Sequence, residues 1–291
     1  MPFKRGVRVV TVLTLLTLAG LFLSSSLVRA QQKATRPSTG AGVDFPTAYY
    51  FRGIIQEDEG VIAQPYVSGT LSLYEDGQGL NSFSATLGIW NSFHEEQTGT
   101  TGDPKSWYEA DLYGGVAVGF LDIFELSTLY TAYTSPNGAF SDVHELAFSL
   151  SVDDSGLLGD FALSPYISVA FEIDGQADGG ADEGVYMEIG IEPGYTFLKD
   201  SKYPITLSLP LKVGLSLDDY YEDPNTGSDE TFGYFDGGIA MSIPLGFVPA
   251  KFGEWAFSAA GHFLALGDSL ETINGGDDFE VLGIFGFSLT Y

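Results

Sequence analysis

The chain has no cysteine and few basic residues, and each shortage excludes a class of protein. Without cysteine there is no disulfide framework, thiolate metal site, cysteine nucleophile or lipid-modified cysteine. Twelve lysines and arginines stand against 39 acids, and four of the twelve lie in the first 30 residues, so the remainder carries about −31 (8 minus 39). A nucleic-acid partner requires a basic face, so none is predicted.

Long apolar runs are also missing, except for one at the N-terminus. Three basic residues precede the apolar run 9–23, and small residues suited to cleavage end at Ala30. This layout predicts a signal peptide over residues 1–30, followed by a polar linker over residues 31–43. An uncleaved membrane anchor is the alternative, but the run is shorter than the roughly 18 to 20 residues that span a bilayer. Export is therefore predicted.

Beyond that run, apolar residues alternate with Ser, Thr, Gly and Glu at a period of two. Such alternation is typical of β-strands whose two faces meet different environments. In residues 203–217 one row is wholly apolar, namely Ile205, Leu207, Leu209, Leu211, Val213, Leu215 and Leu217. Turn residues separate twelve such segments. The segments begin near Asp44, Val61, Leu80, Trp107, Asp122, Asp142, Phe161, Glu183, Tyr203, Thr231, Phe252 and Phe279.

The connections and the aromatic residues indicate how these strands are arranged. Long acidic connections alternate with short ones, and aromatic residues of the apolar rows gather at the short-turn ends. Both features are typical of outer-membrane barrels. We predict an all-β fold, a transmembrane antiparallel up-and-down β-barrel of about 12 strands over residues 44–291, with both termini in the periplasm of a Gram-negative cell. An exported β-sandwich is the alternative, but its outer face would carry more charge.

The chain ends on an aromatic residue within a strand-like segment. Alternate positions before the end are apolar, namely Phe285, Phe287, Leu289 and Tyr291. A barrel in lipid must close, because an open edge leaves backbone groups unpaired. The segment resembles the C-terminal assembly signal of bacterial outer-membrane proteins, in which Phe is commoner at the last position. The resemblance implies the barrel assembly machinery as a partner, beside outer-membrane lipid and lipopolysaccharide.

The region 47–151 contains short motifs of a known family. They are a Tyr-x-x-Arg-Gly segment in "TAYYFRGIIQ", a Gln-Pro segment in "IAQPYVSG" and an Asp-x-Tyr-Gly segment in "YEADLYGGV". In this order they resemble the TorF-type porin family of bacterial outer membranes. The matching positions are Tyr49, Arg52, Gly53, Gln64, Pro65, Asp111, Tyr113 and Gly114. The resemblance implies a porin-like class without indicating a solute.

If the polar rows face inward, the lumen is rich in acid. Its predicted lining residues are Arg52, Glu109, Asp111, Glu145, Glu172, Glu188, Glu192, Lys212 and Asp236, with further acids at Glu125, Glu254 and Glu280 and a possible partner at His262. Unpaired buried charge is costly, so many of these groups should meet water or cations. We predict a hydrated lumen that passes small solutes and favours cations. Inward tyrosines that plug the bore are the alternative.

Catalysis, cofactors and metals are not predicted. The chain has only three histidines, and no motif places one beside a nucleophile. The stretch "DGQADGGADEGV" resembles a calcium loop, yet Val185 stands where a bidentate Glu is required. The alternative function is a non-conducting surface barrel whose acidic loops bind a partner, divalent cations or lipopolysaccharide.

Overall fold

The computed structural model describes residues 37–96 and 106–291, so the predicted signal peptide lies outside the described residues. In chain order the strands are β1 (Pro37–Pro46), β2 (Tyr49–Phe51), β3 (Ile54–Glu57), β4 (Ile62–Gln78), β5 (Leu80–His94), β6 (Trp107–Phe120), β7 (Phe124–Thr134), β8 (Val143–Val152), β9 (Tyr166–Asp174), β10 (Val185–Ile191), β11 (Gly194–Phe197), β12 (Ile205–Ser208), β13 (Leu211–Asp218), β14 (Phe232–Pro244), β15 (Glu254–Leu266) and β16 (Phe279–Thr290). The α-helices are α1 (Ser155–Leu158) and α2 (Asp268–Ile273). Within the described ranges, no helix has the length and apolarity needed to cross a bilayer.

Fourteen of these strands form one antiparallel sheet that closes on itself. Pairing follows the chain order, except that β1 pairs with β4, β10 with β13 and β12 with β14; β1 also pairs with β16, and β14 pairs with β15 to complete the ring. Strands β10 and β11 together cross the barrel once, as do β12 and β13, so the fourteen strands make twelve crossings. The prediction of a closed antiparallel barrel of about 12 strands is confirmed.

Two crossings predicted as continuous strands are interrupted by proline. Pro193 separates β10 from β11, and Pro210 separates β12 from β13. Proline has no N–H to donate to the ladder, so regular pairing stops there. The proline carbonyls remain in use, since Leu209 N donates to Pro193 O at 2.9 Å and Gly238 N donates to Pro210 O at 2.9 Å. The crossings therefore keep their direction through the break.

Strand β1 begins at Pro37, seven residues before the predicted start at Asp44. Residues 37–43, predicted as part of the linker, are therefore part of the barrel wall. Gly40 pairs with Thr290 on one side and with Ser68 on the other. The stretch contains two glycines and little apolar surface, so it carries no alternation that would reveal a strand. At Gly42 the Tyr66 ring occupies the space that a Cβ would need.

The segment 47–61, between β1 and β4, folds into the barrel. The sequence predicts that the first strand continues through Ile55, whereas β2 and β3 form a separate two-stranded hairpin. Its turn consists of Arg52 and Gly53, with φ of 49° and 85°. Two consecutive left-handed residues are typical of a tight hairpin turn. The hairpin side chains are buried against inward residues of several strands, so it lies in the lumen.

The two halves of the lumen differ. In the long-loop half, two clusters of buried apolar and aromatic residues surround the hairpin; the larger is centred on Tyr186, Tyr220, Tyr221, Tyr234 and Leu270, and the smaller on Tyr49, Phe51, Trp90, Tyr108 and Tyr133. In the short-turn half the inner rows carry small residues, many of them half-buried. Hydroxyl pairs cross between adjacent strands there, including Thr70 with Thr86 at 2.8 Å and Ser149 with Ser168 at 2.7 Å. Dense packing is thus confined to one half.

The last residues complete the wall. Tyr291 N donates to Thr39 O at 2.8 Å, and Thr39 N donates to Tyr291 O at 2.7 Å. Phe285 stacks on Phe45 of β1 with ring centroids 5.2 Å apart. Phe287 lies on the same outer row and is exposed, as is Tyr291, whose side chain is 72% exposed. The C-terminal aromatic row therefore faces outward at the seam where the barrel closes.

Replacing Tyr291 by Ser should slow assembly of the barrel, because the last outward aromatic of the closing strand is lost. The measurement is the rate of folding into lipid vesicles, followed by the heat-modifiable shift in electrophoretic mobility. Tyr195→Ser is the matched control, since Tyr195 is an exposed aromatic of β11 far from the seam. Equal rates for the Tyr291→Ser variant and the unaltered chain would remove this role of the C-terminus.

Candidate functional site: the inward hairpin and its carboxylate partners

The tip of the hairpin carries a buried ion pair. Arg52 Nη1 donates to Glu145 Oε2 at 2.6 Å and Nη2 donates to Glu145 Oε1 at 2.8 Å, so two parallel bonds join the guanidinium to the carboxylate. Arg52 Nη1 also donates to the Tyr220 hydroxyl at 2.8 Å. The Arg52 and Glu145 side chains are only 3% and 5% exposed. A bidentate, charge-assisted pair of this kind fixes both distance and orientation.

Arg52 was predicted on the first barrel strand and lies instead at the turn between β2 and β3. In "YYFRGIIQ" apolar residues stand on both sides of the turn, so the sequence is compatible with one continuous strand. The left-handed φ of Arg52 is unfavourable for a residue with a Cβ, and it persists because the surroundings hold the side chain. At Gly53, the Leu270 side chain of α2 fills the space that a Cβ would take.

Aromatic rings enclose the Arg52 guanidinium. Its central carbon lies 4.1 Å from the centroid of the Tyr186 ring, 5.1 Å from that of Phe51 and 5.3 Å from that of Tyr220. These distances favour cation–π attraction. Burial on its own lowers the pKa of the guanidinium, but the Glu145 carboxylate raises it, and the net pKa lies well above the ordinary value. Arg52 is therefore charged inside the barrel.

Further hydrogen bonds join the hairpin to the long loops. Tyr221 OH donates to Arg52 O at 2.9 Å. Asn274, just after α2, donates from Nδ2 to Gly53 O at 2.8 Å and accepts at Oδ1 from Ile55 N at 2.9 Å. These partners follow the hairpin by roughly 170 to 220 positions in the chain. The hairpin and these partners come into contact only because the barrel is closed.

Tyrosines surround Glu188, a second fully buried carboxylate. Glu188 accepts from Tyr166 OH at 2.5 Å, Tyr186 OH at 2.7 Å and Tyr234 OH at 3.0 Å. Lys212 Nζ lies 3.4 Å from Glu188. Tyr186 therefore contacts two charged groups of the lumen, Arg52 through its ring and Glu188 through its hydroxyl.

Lys212 also approaches a third carboxylate. Its Nζ lies 3.9 Å from Asp236 Oδ2, and Asp236 Oδ1 lies 2.8 Å from His262 Nδ1. His262 Nε2 is buried and has no hydrogen-bond partner among the described residues. The structure thus brings Glu188, Lys212 and Asp236 of three adjacent strands into one group with His262, which the sequence analysis names as a possible partner.

Glu109 and Asp111 are neighbours on the inner row of β6. Glu109 accepts from Tyr49 OH of the hairpin at 2.9 Å. Asp111 is fully buried, and within residues 37–96 and 106–291 neither of its carboxylate oxygens meets a hydrogen-bond partner. A buried acid in this position requires water, a proton or a cation to compensate it. This pair is the least compensated charge of the lumen.

The other two predicted lining acids have local partners. Glu172 accepts from Ala177 N and Gly184 N, both at 2.7 Å, so it anchors the loop between β9 and β10. Glu192 is half-buried at the Pro193 break and accepts from Ser208 Oγ at 2.9 Å. Glu172 is also the cross-strand neighbour of Glu145, so it lies beside the Arg52 ion pair.

A chain of polar residues beside the hairpin escaped the sequence analysis. Ser92 Oγ lies 2.8 Å from His94 Nε2, and His94 Nδ1 lies 3.7 Å from Glu57 Oε2. Residues i and i+2 of a strand share a face, so the sequence could have indicated that Ser92 and His94 lie side by side. Glu57 could not be included, because it reaches His94 only through the inward fold of β3. Ser, His and acid in this order are typical of hydrolases. Here Ser92 is 0% exposed and Gln64 Nε2 lies 3.5 Å from its Oγ, so the hydroxyl is sealed from substrate.

The acidic loop with a calcium-like sequence is organised by its own backbone. Asp178 accepts from Gly180 N at 2.7 Å and from Glu222 N at 2.9 Å. Burial raises the pKa of Asp178. Within the described part of the chain, no group of three or more potential ligands could hold a metal ion. The carboxylate of Asp178 ties two long loops together.

Comparisons with known proteins concern the fold of the chain. No family model matches the chain, and no curated protein matches it, so the TorF-type resemblance stays a prediction. An outer membrane channel from Pseudomonas putida F1 superposes with a TM-score of 0.50 at 9% identity, covering 91% of this chain and 98% of that one. The chain shares the fold of this channel. The β domain of the Bordetella autotransporter BrkA gives a TM-score of 0.43 at 13% identity, over 88% and 99% of the two chains, and the NanC porin gives 0.42 at 11%, over 86% and 98%.

Replacing Glu145 by Gln should destabilise the folded chain by about 3–5 kcal/mol, because the Arg52 charge stays buried without its partner. The free energy of unfolding in urea is measured through tryptophan fluorescence, to which the buried Trp90 contributes. The control is Asp160→Asn, which removes the half-exposed pair with Lys199 and should cost at most about 1 kcal/mol. The double variant Arg52→Met with Glu145→Gln should recover part of the loss. Equal effects of Glu145→Gln and Asp160→Asn would show that the buried pair does not hold the hairpin.

Ser92 should not react with a fluorophosphonate, because its hydroxyl lies beneath Gln64 and is closed to solvent. The measurement is mass spectrometry of the folded protein after incubation with the reagent. Ser92→Ala is the matched variant that identifies any label at this position. A label on folded protein that disappears in Ser92→Ala would indicate a working nucleophile and contradict the conclusion that this hydroxyl is sealed from substrate.

Proposed function

We propose that the protein is an exported outer-membrane barrel that passes small solutes passively, with a preference for cations, and that the β2–β3 hairpin constricts its lumen. The observation that carries the proposal is the inward hairpin, held by polar contacts within an acid-rich wall. Outer-membrane lipid and lipopolysaccharide surround such a barrel, and the barrel assembly machinery inserts it. No enzymatic activity is part of the proposal.

The balance of charge in the lumen supports the cation preference. The buried or half-buried inner carboxylates include Asp44, Glu109, Asp111, Glu125, Glu145, Glu172, Glu188, Glu192, Asp236 and Glu280. Arg52 and Lys212 are the fixed positive charges among their described partners. A negative excess in a low-dielectric wall attracts cations and repels anions. Because Arg52 and Lys212 each lie against carboxylates, neither presents a bare positive charge to a solute.

The contrast between the two halves supports a constricted path. The small half-buried residues of the short-turn half leave room for solute, whereas the hairpin and its aromatic neighbours fill the long-loop half. The hairpin tip is fixed by hydrogen bonds, one ion pair and contacts with aromatic rings. A solute can therefore cross the membrane only if the hairpin moves away from the inner wall of the long-loop half.

The two packed clusters favour a second candidate function. A barrel whose long-loop half stays filled would conduct nothing and would act through its acidic outer loops, which would bind a partner, divalent cations or lipopolysaccharide. The buried aromatic residues around Tyr186 and Tyr133 speak for this reading. The two functions differ in whether the hairpin moves.

Single-channel recording in planar bilayers separates the two functions. The unaltered chain should give small or intermittent steps, and a variant with residues 48–58 replaced by a short glycine–serine linker should give larger, steadier ones. In a salt gradient both should favour potassium over chloride. The linker fits because Asp44 of β1 pairs with Gln64 of β4, which brings the ends of the segment together.

A separate set of variants tests the ion selectivity. Glu188→Gln with Glu192→Gln should lower the ratio of potassium to chloride permeability, because both carboxylates lie on the inner wall. Asp160→Asn, at the exposed short-turn surface, should leave the ratio unchanged. Silence from both the unaltered and the linker protein, each shown to be folded and inserted, would reject the channel and favour the surface barrel.

A further inference from the structure

The surroundings of Arg52 form a complete binding site for a guanidinium group. Glu145 presents both oxygens to the two terminal nitrogens, at 2.6 and 2.8 Å, and the Tyr220 hydroxyl accepts a further hydrogen bond at 2.8 Å. Tyr186 presents its ring face at 4.1 Å, and Tyr133 supports Glu145 through a hydrogen bond of 3.3 Å. We call Glu145, Tyr133, Tyr186 and Tyr220 the cage. Its present ligand is a side chain of the protein itself.

The cage matches the planar guanidinium group and its two parallel N–H donors. Two parallel N–H groups match the two carboxylate oxygens, and a flat delocalised cation stacks on an aromatic ring. An ammonium group is a compact point charge that makes neither arrangement in full. The barrel shows this contrast itself, since Lys212 approaches its carboxylates at 3.4 and 3.9 Å without a fork. The cage thus selects guanidinium over ammonium.

The cage recognises only the end of the arginine side chain. Arg52 Nε is buried and has no hydrogen-bond partner among the described residues, so every polar contact of the guanidinium goes through its terminal nitrogens. A free molecule that ends in a guanidinium presents the same atoms. The left-handed backbone of Arg52, by contrast, belongs to the hairpin turn and is not part of the cage.

We propose that the cage binds guanidinium-bearing solutes, which take the place of Arg52 and release the β2–β3 hairpin from the wall. The Arg52 side chain is then a tethered competitor with a high effective concentration, so a free solute displaces it only at elevated concentration. This names the class of cation that the channel takes, and it rests on the proposed function in that the released hairpin opens the path. Binding to the cage itself does not depend on conduction.

Chemical rescue in detergent solution tests the cage. Arg52→Ala empties it, and the probe is methylguanidinium at millimolar concentration. Saturable binding should raise the urea midpoint of Arg52→Ala, and calorimetry should give the dissociation constant. Calorimetry also measures two control probes. N-methylurea has the shape of methylguanidinium without its charge, and it is used because urea itself is the denaturant. Methylammonium has the charge without the fork. Both should bind at least about tenfold more weakly.

The double variant Arg52→Ala with Glu145→Gln is the matched control, and it should lose the response to methylguanidinium. If Arg52→Ala does not refold, Arg52→Lys serves instead, because it keeps a charge in the cage without the fork, and methylguanidinium should displace it. Absence of saturable binding to either variant, or equal binding of methylammonium, would overturn the proposal and leave the cage as a structural latch.

A bilayer recording separates this proposal from the channel function. Methylguanidinium added to the unaltered protein should raise the fraction of time spent in the conducting state, and methylammonium at equal ionic strength should not. Binding in detergent with silence in the bilayer would keep the cage and reject the channel. Conduction without any binding would keep the channel and reject the cage.

Discussion

The pairing of β1 with β16 is the constraint on which the rest of the structure depends. The two strands exchange backbone hydrogen bonds from Gly40 to Pro46, and Thr39 and Tyr291 complete the seam. In lipid an unpaired strand edge would cost several kcal/mol for each exposed backbone group. Closure therefore fixes which row of every strand faces outward and which faces the lumen, and it makes the lumen a compartment of limited hydration.

Within that compartment the carboxylates of the polar rows need partners for their buried charge, and the hairpin supplies one of them. Carboxylates on inner rows lose much of their hydration, and removing one partner of a buried pair costs more than the pair gains. Arg52 brings a cation to Glu145, and Lys212 does the same for Glu188 and Asp236. Tyrosine hydroxyls supply donors where no cation is present, as Tyr49 does for Glu109. The aromatic character of the inner wall thus follows from its acidity.

Much of the wall could be predicted from the sequence, because a strand in a closed barrel repeats its environment at every second residue. The twelve crossings and the inward position of Glu188 on β10 follow from that alternation. The hairpin could not be predicted, since Tyr49–Phe51 and Ile54–Glu57 place apolar residues on both sides of the Arg52–Gly53 turn and are compatible with one continuous strand. Its partners are decided by contacts between residues up to 221 positions apart. Local periodicity carries no information at that range.

The position of the hairpin next to the seam also sets an order of events in time. The hairpin follows β1 directly, and its partners Tyr221 and Asn274 belong to loops that come together only when the C-terminal strands are in place. Contacts between such distant parts of a chain form late, because the entropy of closing a long loop must be overcome first. We therefore expect the barrel to insert before its bore is filled. If the hairpin constricts the lumen as proposed, the pairing of β1 with β16 would complete the wall and bring the partners of the hairpin together in the same step.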